Sequence, residues 1–149
     1  MKVDELYPNN DLKQSVVFPL YLCSKELTRK YNNYLSKYDI TYTQYLVLMY
    51  FYHEKESNLK RIGKVMMLDS STLTPLLKKM ENKKLIERKK SSVDERNLVI
   101  TITDKGNEVA NDLKKLLYEI NNQLNLSNKE IELLHNISFK IIKTLREEK

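Results

Sequence analysis

The segment DSSTLTPLLKKMENKK, residues 69–84, brings hydroxyl and ammonium side chains together at helical spacing. Ser71, Thr74 and Lys78 share one face of the predicted helix. Hydroxyl groups can bond to base edges, and ammonium groups can pair with phosphates. The opposite face is apolar and consists of Leu73, Leu76, Leu77 and Met80. The pattern therefore predicts a helix with a buried inner face and an outer surface able to meet a nucleic acid.

Pro75 lies inside this helical pattern. Proline lacks a backbone N–H and is best tolerated in the first turn of a helix. We therefore expect the helix to begin near Ser71 or Thr72, or else to bend at Pro75.

Positive charge is concentrated in the middle third of the chain, although the formal net charge is only +6. Residues 1–54 and 107–149 are balanced, whereas residues 55–106 hold thirteen basic and seven acidic side chains. A localised basic surface attracts polyanions, because each phosphate that it neutralises releases counterions. The alternative is a charged face that only keeps the protein in solution.

Helical patterns precede the polar helix. Residues 11–38 predict one long helix, which Pro19 would kink. The apolar run from Tyr42 to Tyr52 is typical of a buried helix. Asn58 is a suitable N-cap for a short helix that extends to Met67.

A change of periodicity after Lys84 predicts a β-hairpin. Leu98, Ile100 and Ile102 alternate with other side chains, and residues 85–89 supply an antiparallel partner. The polar loop between the strands would present Arg96 at its tip. Two short helices followed by a hairpin indicate a winged helix-turn-helix, a mainly α fold with a small β-hairpin wing.

Two amphipathic helices are expected after the hairpin. Thr103 caps the first, which extends to about Gln123. Ser127 begins the second and forms a capping box with Glu130. The apolar stripes of these helices, from Leu113 to Leu124 and from Ile131 to Leu145, suit either a dimer interface or an intramolecular core.

The composition argues against several classes of protein. A length of 149 residues with 41% hydrophobic and 31% charged residues suits one mostly helical domain. The single cysteine cannot form an internal disulfide, and neither a secretion signal nor a membrane-length apolar run is evident, so we expect a cytoplasmic protein without a membrane partner. His53 and His135 lie in unrelated segments, and no glycine-rich phosphate loop is present. We therefore expect neither an enzyme nor a bound cofactor or metal.

The stretch from Thr41 to Gly106 resembles the central domain of the MarR family of transcription regulators, in the OhrR/SarZ/MgrA branch. The run LDSSTLTPLLKKME and the later DERN carry most of the resemblance, which extends back to Leu20. It implies a DNA-binding protein whose recognition helix enters the major groove and whose wing arginine enters the minor groove. The implied major-groove residues are Ser70, Ser71, Thr72, Thr74, Pro75 and Lys78. The implied backbone and wing residues are Lys79, Lys89, Lys90, Asp94 and Arg96.

The resemblance also implies a homodimer on a pseudo-palindromic double-stranded DNA operator. The whole chain, residues 1–149, would form a single MarR-like domain. Within it, residues 41–104 would form the winged helix-turn-helix, and residues 10–38 and 105–147 the dimerisation helices. We expect a sequence-specific transcriptional regulator that acts as a repressor. A helical scaffold and an architectural DNA-binding protein are the alternatives.

The sequence departs from its hydroperoxide-sensing relatives at their reactive cysteine. Counted in an ungapped register, Val17 occupies that position, and Cys23 lies six residues further on. Six residues rotate a helix by about 600°, so the thiol would lie about 120° from the family's site. Cys23 stays a candidate redox residue, but neighbouring leucines favour a packed, inert cysteine.

Tyrosines suggest a second way to sense a signal. The tyrosines that accompany the family's cysteine correspond to Tyr31 and Tyr42, and Tyr21 lies nearby in the sequence. The three residues are candidates for a pocket that receives a phenolic ligand or a peroxide. The alternative is that these rings pack at an interface, because tyrosine has an apolar body and a polar tip.

Overall fold

A computed structural model describes residues 10–90 and 98–147. The described chain divides into two compact units, one ending at Ala110 and the other beginning at Asn111. Within these residues, no helix has both the length and the apolar character needed to cross a bilayer. Seven α-helices and three strands follow one another in the described residues: α1 (Asn10–Gln14), α2 (Val17–Leu35), α3 (Tyr42–Glu54), β1 (Glu56–Asn58), α4 (Leu59–Met66), α5 (Ser70–Asn82), β2 (Ile86–Lys90), β3 (Leu98–Ile102), α6 (Asp104–Gln123) and α7 (Asn128–Glu147).

The first helical region is not the single kinked helix that the sequence predicts. It breaks between α1 and α2, and the Phe18 N–H donates to Ser15 Oγ at 3.2 Å at the start of α2. Pro19 is therefore in the first turn of α2, where its missing N–H would have no intrahelical acceptor. A short 3₁₀ helix, Ser36–Tyr38, follows α2, and Asp39 leaves it with a φ of 52°.

Helix α3 forms the centre of the first unit. Thr41 and Gln44 make a reciprocal capping box, in which the Gln44 N–H donates to Thr41 Oγ1 and the Thr41 N–H donates to Gln44 Oε1. Val47, Leu48 and Phe51 are completely buried. The capping box explains why Gln44 can also be buried, since its side-chain oxygen keeps a hydrogen-bond partner.

The helix-turn-helix consists of α4 and α5. Asn58 caps α4 as predicted, because its side chain accepts the Arg61 N–H at 2.9 Å. Met67 has a φ of 55° and ends α4, after which the Leu68 N–H returns to the Gly63 carbonyl at 3.0 Å. Ile62 of α4 is completely buried.

The sheet has three strands, one more than the sequence predicts. The hairpin of β2 and β3 is confirmed, with Arg88 opposite Ile100. Strand β1 pairs antiparallel with the other edge of β3, so that Ser57 also faces Ile100 and β3 lies in the middle. Three polar residues in β1 offer no alternating pattern, and their extended form depends on a partner strand that is distant in sequence.

Helices α6 and α7 begin where the sequence predicts. Thr103 Oγ1 accepts the Gly106 N–H at 3.0 Å, and Ser127 and Glu130 exchange the hydrogen bonds of a capping box. Leu113, Leu116 and Ile120 of α6 are buried. None of the residues of α7 is buried in the single chain.

Candidate nucleic-acid interface

The apolar face of α5 packs into the core of the first unit. Leu73, Leu77 and Met80 are buried, with at most 1% of each residue exposed. Every position that the sequence analysis assigned to the outer surface of α5 is exposed. These positions are Ser70, Ser71, Thr72, Thr74, Pro75, Lys78 and Lys79. All seven side chains therefore lie on the exposed side of α5, and burial of the opposite side fixes which way they face.

Asp69 fixes the first residue of α5. Its carboxylate accepts the Thr72 N–H at 2.7 Å, and the Ser71 hydroxyl donates to the same oxygen at 2.6 Å. The hydrogen bond from Ser71, followed by those from Thr72, lowers the pKa of the Asp69 carboxyl below its usual value. This cap begins the helix at Ser70, one residue before the start near Ser71 that the sequence predicts.

Pro75 therefore lies in the second turn of α5 rather than in its first. A residue at this position would normally donate its N–H to the Ser71 carbonyl, four residues earlier, and proline has no hydrogen to give. Pro75 is exposed, so its ring adds to the outer surface of α5.

Two ion pairs anchor the C-terminal half of α5. Arg88 on β2 donates to Glu81, with its Nε 2.8 Å from Glu81 Oε2, and lowers the pKa of that carboxyl. Lys83, just after α5, lies 2.9 Å from the Asp39 carboxylate and also donates to the Asp39 carbonyl. The C-terminal end of α5 is thereby tied both to the wing and to the segment that precedes α3.

The wing begins with exposed basic side chains at the end of β2. Lys89 and Lys90 are exposed, and Lys89 Nζ donates to Glu87 Oε1 at 2.7 Å. The two other wing residues that the sequence analysis named, Asp94 and Arg96, lie outside the described residues.

Tyr31 and Tyr42 come together, as the sequence analysis expected, with ring centres 4.8 Å apart. A third ring, Tyr45, lies 5.5 Å from Tyr31 and 6.1 Å from Tyr42. We call these three residues the tyrosine cluster. Tyr45 lies about one helical turn after Tyr42 on α3. Tyr21 does not share this burial, since 56% of it is exposed and Lys25 Nζ lies 5.9 Å from its ring centre.

Burial determines how the tyrosine cluster titrates. It raises the pKa of Tyr42, and for Tyr31 the proximity of Tyr42 adds to this effect. Burial and the two neighbouring phenols raise the pKa of Tyr45 to about 12. The cluster consequently stays uncharged and can donate or accept hydrogen bonds through its hydroxyl groups.

Cys23 is exposed on α2, so the expectation of a packed cysteine is wrong for the single chain. The neighbouring leucines do not cover it, and Leu20 is itself 40% exposed. Val17, which an ungapped register would place at the family's reactive cysteine, is also exposed. Among the described residues, no group of three or more His, Cys, Asp or Glu side chains could hold a metal ion.

Comparisons with known proteins identify the family. The model of the family described as transcriptional regulator SarA/Rot matches residues 29–113. The HTH-type transcriptional regulator SarZ of Staphylococcus aureus strain USA300 is 40% identical over 130 residues, which cover 87% of this chain and 88% of SarZ. SarZ and the proteins that the family model describes are regulators of transcription. This agrees with the expectation that the chain is not an enzyme.

Two solved structures share the fold. The structure of reduced AbfR bound to DNA is 30% identical, has a TM-score of 0.76, and covers 91% of this chain and 94% of its own. AbfR has also been solved from Staphylococcus epidermidis. The MepR–DNA complex of S. aureus is 26% identical, has a TM-score of 0.81, and covers 88% of this chain and 98% of its own. The chain belongs to the SarA/Rot family of transcriptional regulators and has the winged helix-turn-helix fold expected from its resemblance to MarR proteins.

Proposed function

We propose that this DNA-binding transcriptional regulator acts as a homodimeric repressor in the cytoplasm. Each protomer would insert α5 into the major groove of a pseudo-palindromic operator and extend its wing to the adjacent minor groove. The observation that carries this proposal is the outer surface of α5, where hydroxyl and ammonium groups are exposed on a helix anchored by Leu73, Leu77 and Met80.

The relatives support this mode of binding. AbfR and MepR have both been solved bound to DNA, and both share the fold of this chain at more than 25% identity. The excess of positive charge in residues 55–106 coincides with α4, α5 and the wing. A scaffold protein would have no need for charge confined to these elements, whereas a protein that contacts phosphates would.

The salt dependence of DNA binding tests the proposal. Fluorescence anisotropy with the duplex upstream of the protein's own gene should show tight binding that weakens steeply with salt. Lys79→Ala should lower the affinity and reduce the slope of log K against log salt by about one. Lys129→Ala removes another exposed lysine, on α7, and should change neither quantity. Weak binding with no dependence on salt would contradict the proposal.

The wing can be tested in the same way. We expect Arg96→Ala to weaken operator binding and to reduce the salt slope by up to about one unit, because a guanidinium in the minor groove also neutralises phosphate charge. Unchanged affinity and slope would show that the wing does not bind where we propose.

The signal that releases DNA is proposed to act through the first helices, by oxidation or by an aromatic ligand. AbfR, a relative in structure, has been solved both reduced and overoxidized on DNA. In this chain Cys23 is exposed, while Tyr31 and Tyr42 lie together in the tyrosine cluster. Oxidation at Cys23 and a ligand at the tyrosines are therefore separate routes.

Cumene hydroperoxide distinguishes the two routes. If peroxide releases the wild type from its operator but not Cys23→Ser, the exposed thiol is the sensor. If both proteins ignore peroxide, a panel of phenols should be tested against Tyr31→Phe, which keeps the ring but loses the hydroxyl group. If peroxide or the phenols released the wild type, Cys23→Ser and Tyr31→Phe from DNA to the same extent, both routes would be excluded.

A further inference from the structure

Ser71 lies at the middle of the outer surface of α5. At about 100° of rotation per residue, Ser71, Thr74 and Lys78 fall within about 60° of one another. The buried residues Leu73 and Met80 lie on the opposite side of the helix. A groove that receives the outer surface of α5 would therefore receive the Ser71 hydroxyl among its closest groups.

The hydroxyl hydrogen of Ser71 is already in use. Ser71 Oγ lies 2.6 Å from Asp69 Oδ1, which also accepts the Thr72 N–H at 2.7 Å. An ionised carboxylate can only accept hydrogen bonds, so the hydroxyl must be the donor in this pair. An aspartate is ionised at neutral pH, and these hydrogen bonds lower the pKa of Asp69 further.

A serine hydroxyl has one hydrogen and two lone pairs. Once the hydrogen is given to Asp69, the lone pairs are what Ser71 can offer to a base. In the major groove, the amino groups of adenine and cytosine are the donors, whereas guanine N7 and O6 and thymine O4 are acceptors. An unrestrained serine can contact either kind of group.

We propose that Asp69 sets Ser71 as a hydrogen-bond acceptor, so that Ser71 selects adenine or cytosine over guanine or thymine on the strand that it faces. This inference rests on the proposed function, because it assumes that α5 enters the major groove. It adds the chemical class of base that one position of the operator must carry. Asp69 is thus a specificity residue that acts through the direction of a hydrogen bond.

The first step of the test is a selection from a duplex library with a random segment of 20 base pairs, carried out with the full-length wild type and with Ser71→Ala. The position whose base preference disappears in Ser71→Ala is the one that Ser71 contacts. Each base pair carries one major-groove amino group, on its adenine or on its cytosine, so this step locates the contacted base pair but not the contacted group. Unchanged wild-type affinity when that amino group is removed would overturn the inference.

Base analogues then identify the contacting group. Purine in place of adenine, or 2-pyrimidinone in place of cytosine, removes only the amino group. Wild-type affinity should fall by about 3- to 10-fold, as expected for one hydrogen bond, and Ser71→Ala should bind both duplexes equally. For an adenine, 7-deazaadenine removes the N7 acceptor and should cost nothing at this contact. A loss with 7-deazaadenine alone would contradict the proposed direction.

Two variants of Asp69 separate the effect of the direction of its hydrogen bond with Ser71 from the effect of its negative charge. Asp69→Asn removes the negative charge but keeps a side-chain oxygen that accepts from Ser71 and Thr72, so the preference for an amino group should remain. Asp69→Gly keeps an acceptable N-cap but frees the hydroxyl, so the preference should widen to guanine and thymine. Equal preferences in Asp69→Gly and in the wild type would overturn the inference.

The outcomes also distinguish the inference from the proposed function. If the wild type selects no duplex and shows no salt-dependent binding, the proposed function fails, and the inference fails with it. If the wild type selects a defined operator but Ser71→Ala leaves every base preference unchanged, the inference alone fails. Thermal unfolding of each variant confirms that α5 is still folded when its preference is measured.

Discussion

At the scale of the single residue, the tyrosine cluster couples ionisation to folding. The ring centres of Tyr31, Tyr42 and Tyr45 lie 4.8–6.1 Å apart. Loss of a proton would place a negative charge among poorly solvated neighbours, and burial raises all three pKa values for this reason. The folded protein therefore holds these protons more tightly than the unfolded chain does.

The free energy of unfolding should decrease as the pH rises from about 10 to about 12. The unfolded chain releases the proton of Tyr45 near pH 10, whereas the folded chain retains it to a pKa of about 12. The stabilisation is thus complete below pH 10 and is lost as the pH rises through 12. Urea unfolding across this range measures the effect, and Tyr45→Phe should flatten the pH dependence.

A matched control for this prediction is Tyr21→Phe, because 56% of Tyr21 is exposed. Its substitution should leave the alkaline pH dependence of stability unchanged. If Tyr21→Phe and Tyr45→Phe flattened the curve equally, the burial of the cluster would not be the cause.

Residue-level sequence reasoning succeeded where the interaction is local. The caps at Asn58 and Ser127 follow from side chains that meet backbone groups three residues away, and both are present. It failed where burial depends on other elements, because Cys23 was expected to be packed but is exposed. Periodicity defines the faces of a helix, but it does not determine which face another element covers.

At the scale of the element, α5 illustrates how two local preferences compete. Pro75 favours a helix that starts later, whereas Asp69 provides a strong cap before Ser70. Asp69 prevails, because its carboxylate accepts the Thr72 N–H and so satisfies a backbone donor of the first turn. Strand β1 is the opposite case, because its three polar residues show no local preference from which a strand could have been predicted.

Replacing Pro75 should stabilise the protein. Pro75→Ala restores an N–H that can reach the Ser71 carbonyl and introduces the best helix former, so the free energy of unfolding should rise by about 1–3 kcal/mol. Chemical denaturation measures the change. Thr74→Ala, at the neighbouring exposed position, adds no backbone donor and should give a much smaller gain. A loss of stability in Pro75→Ala would show that α5 depends on the proline.

Gly106, in the first turn of α6, leaves no space for a side chain. A Cβ placed there would lie 2.0 Å from the Leu85 carbonyl oxygen and 2.8 Å from Ile102 Cγ1. Because a backbone atom cannot move aside as a flexible side chain can, Gly106→Ala should cost about 3 kcal/mol of stability. Glu108→Ala, at an exposed position of the same helix, should be nearly neutral. Thermal unfolding would compare the two, and equal melting temperatures would contradict the packing argument.

At the scale of the whole molecule, the single chain leaves apolar side chains of its last helix exposed. Leu134 and Ile137 of α7 are each 47% exposed, and they belong to the stripe that the sequence predicts. Such a stripe needs a partner, and the proposed homodimer provides one. Sequence periodicity identified the stripe, but it could not decide between a dimer interface and an internal core.

Ile137→Glu should weaken the dimer by about 30-fold or more, because it would place a charge in an apolar interface. Sedimentation equilibrium over a range of protein concentrations measures the dissociation constant. Asn136→Glu introduces the same charge at the adjacent, exposed position and should leave the dimer intact. Equal effects of the two substitutions would argue against an interface at this stripe.

The tyrosine cluster also gives the protein an optical signal of its own. The chain contains ten tyrosines and no tryptophan, so its near-ultraviolet circular dichroism arises mainly from tyrosine. Rings in fixed, asymmetric packing generate such a signal, and mobile rings do not. Tyr31, Tyr42 and Tyr45 are held close together across the contact between α2 and α3. A loosening of that contact could therefore be followed in the unlabelled protein, without a dye or an engineered probe.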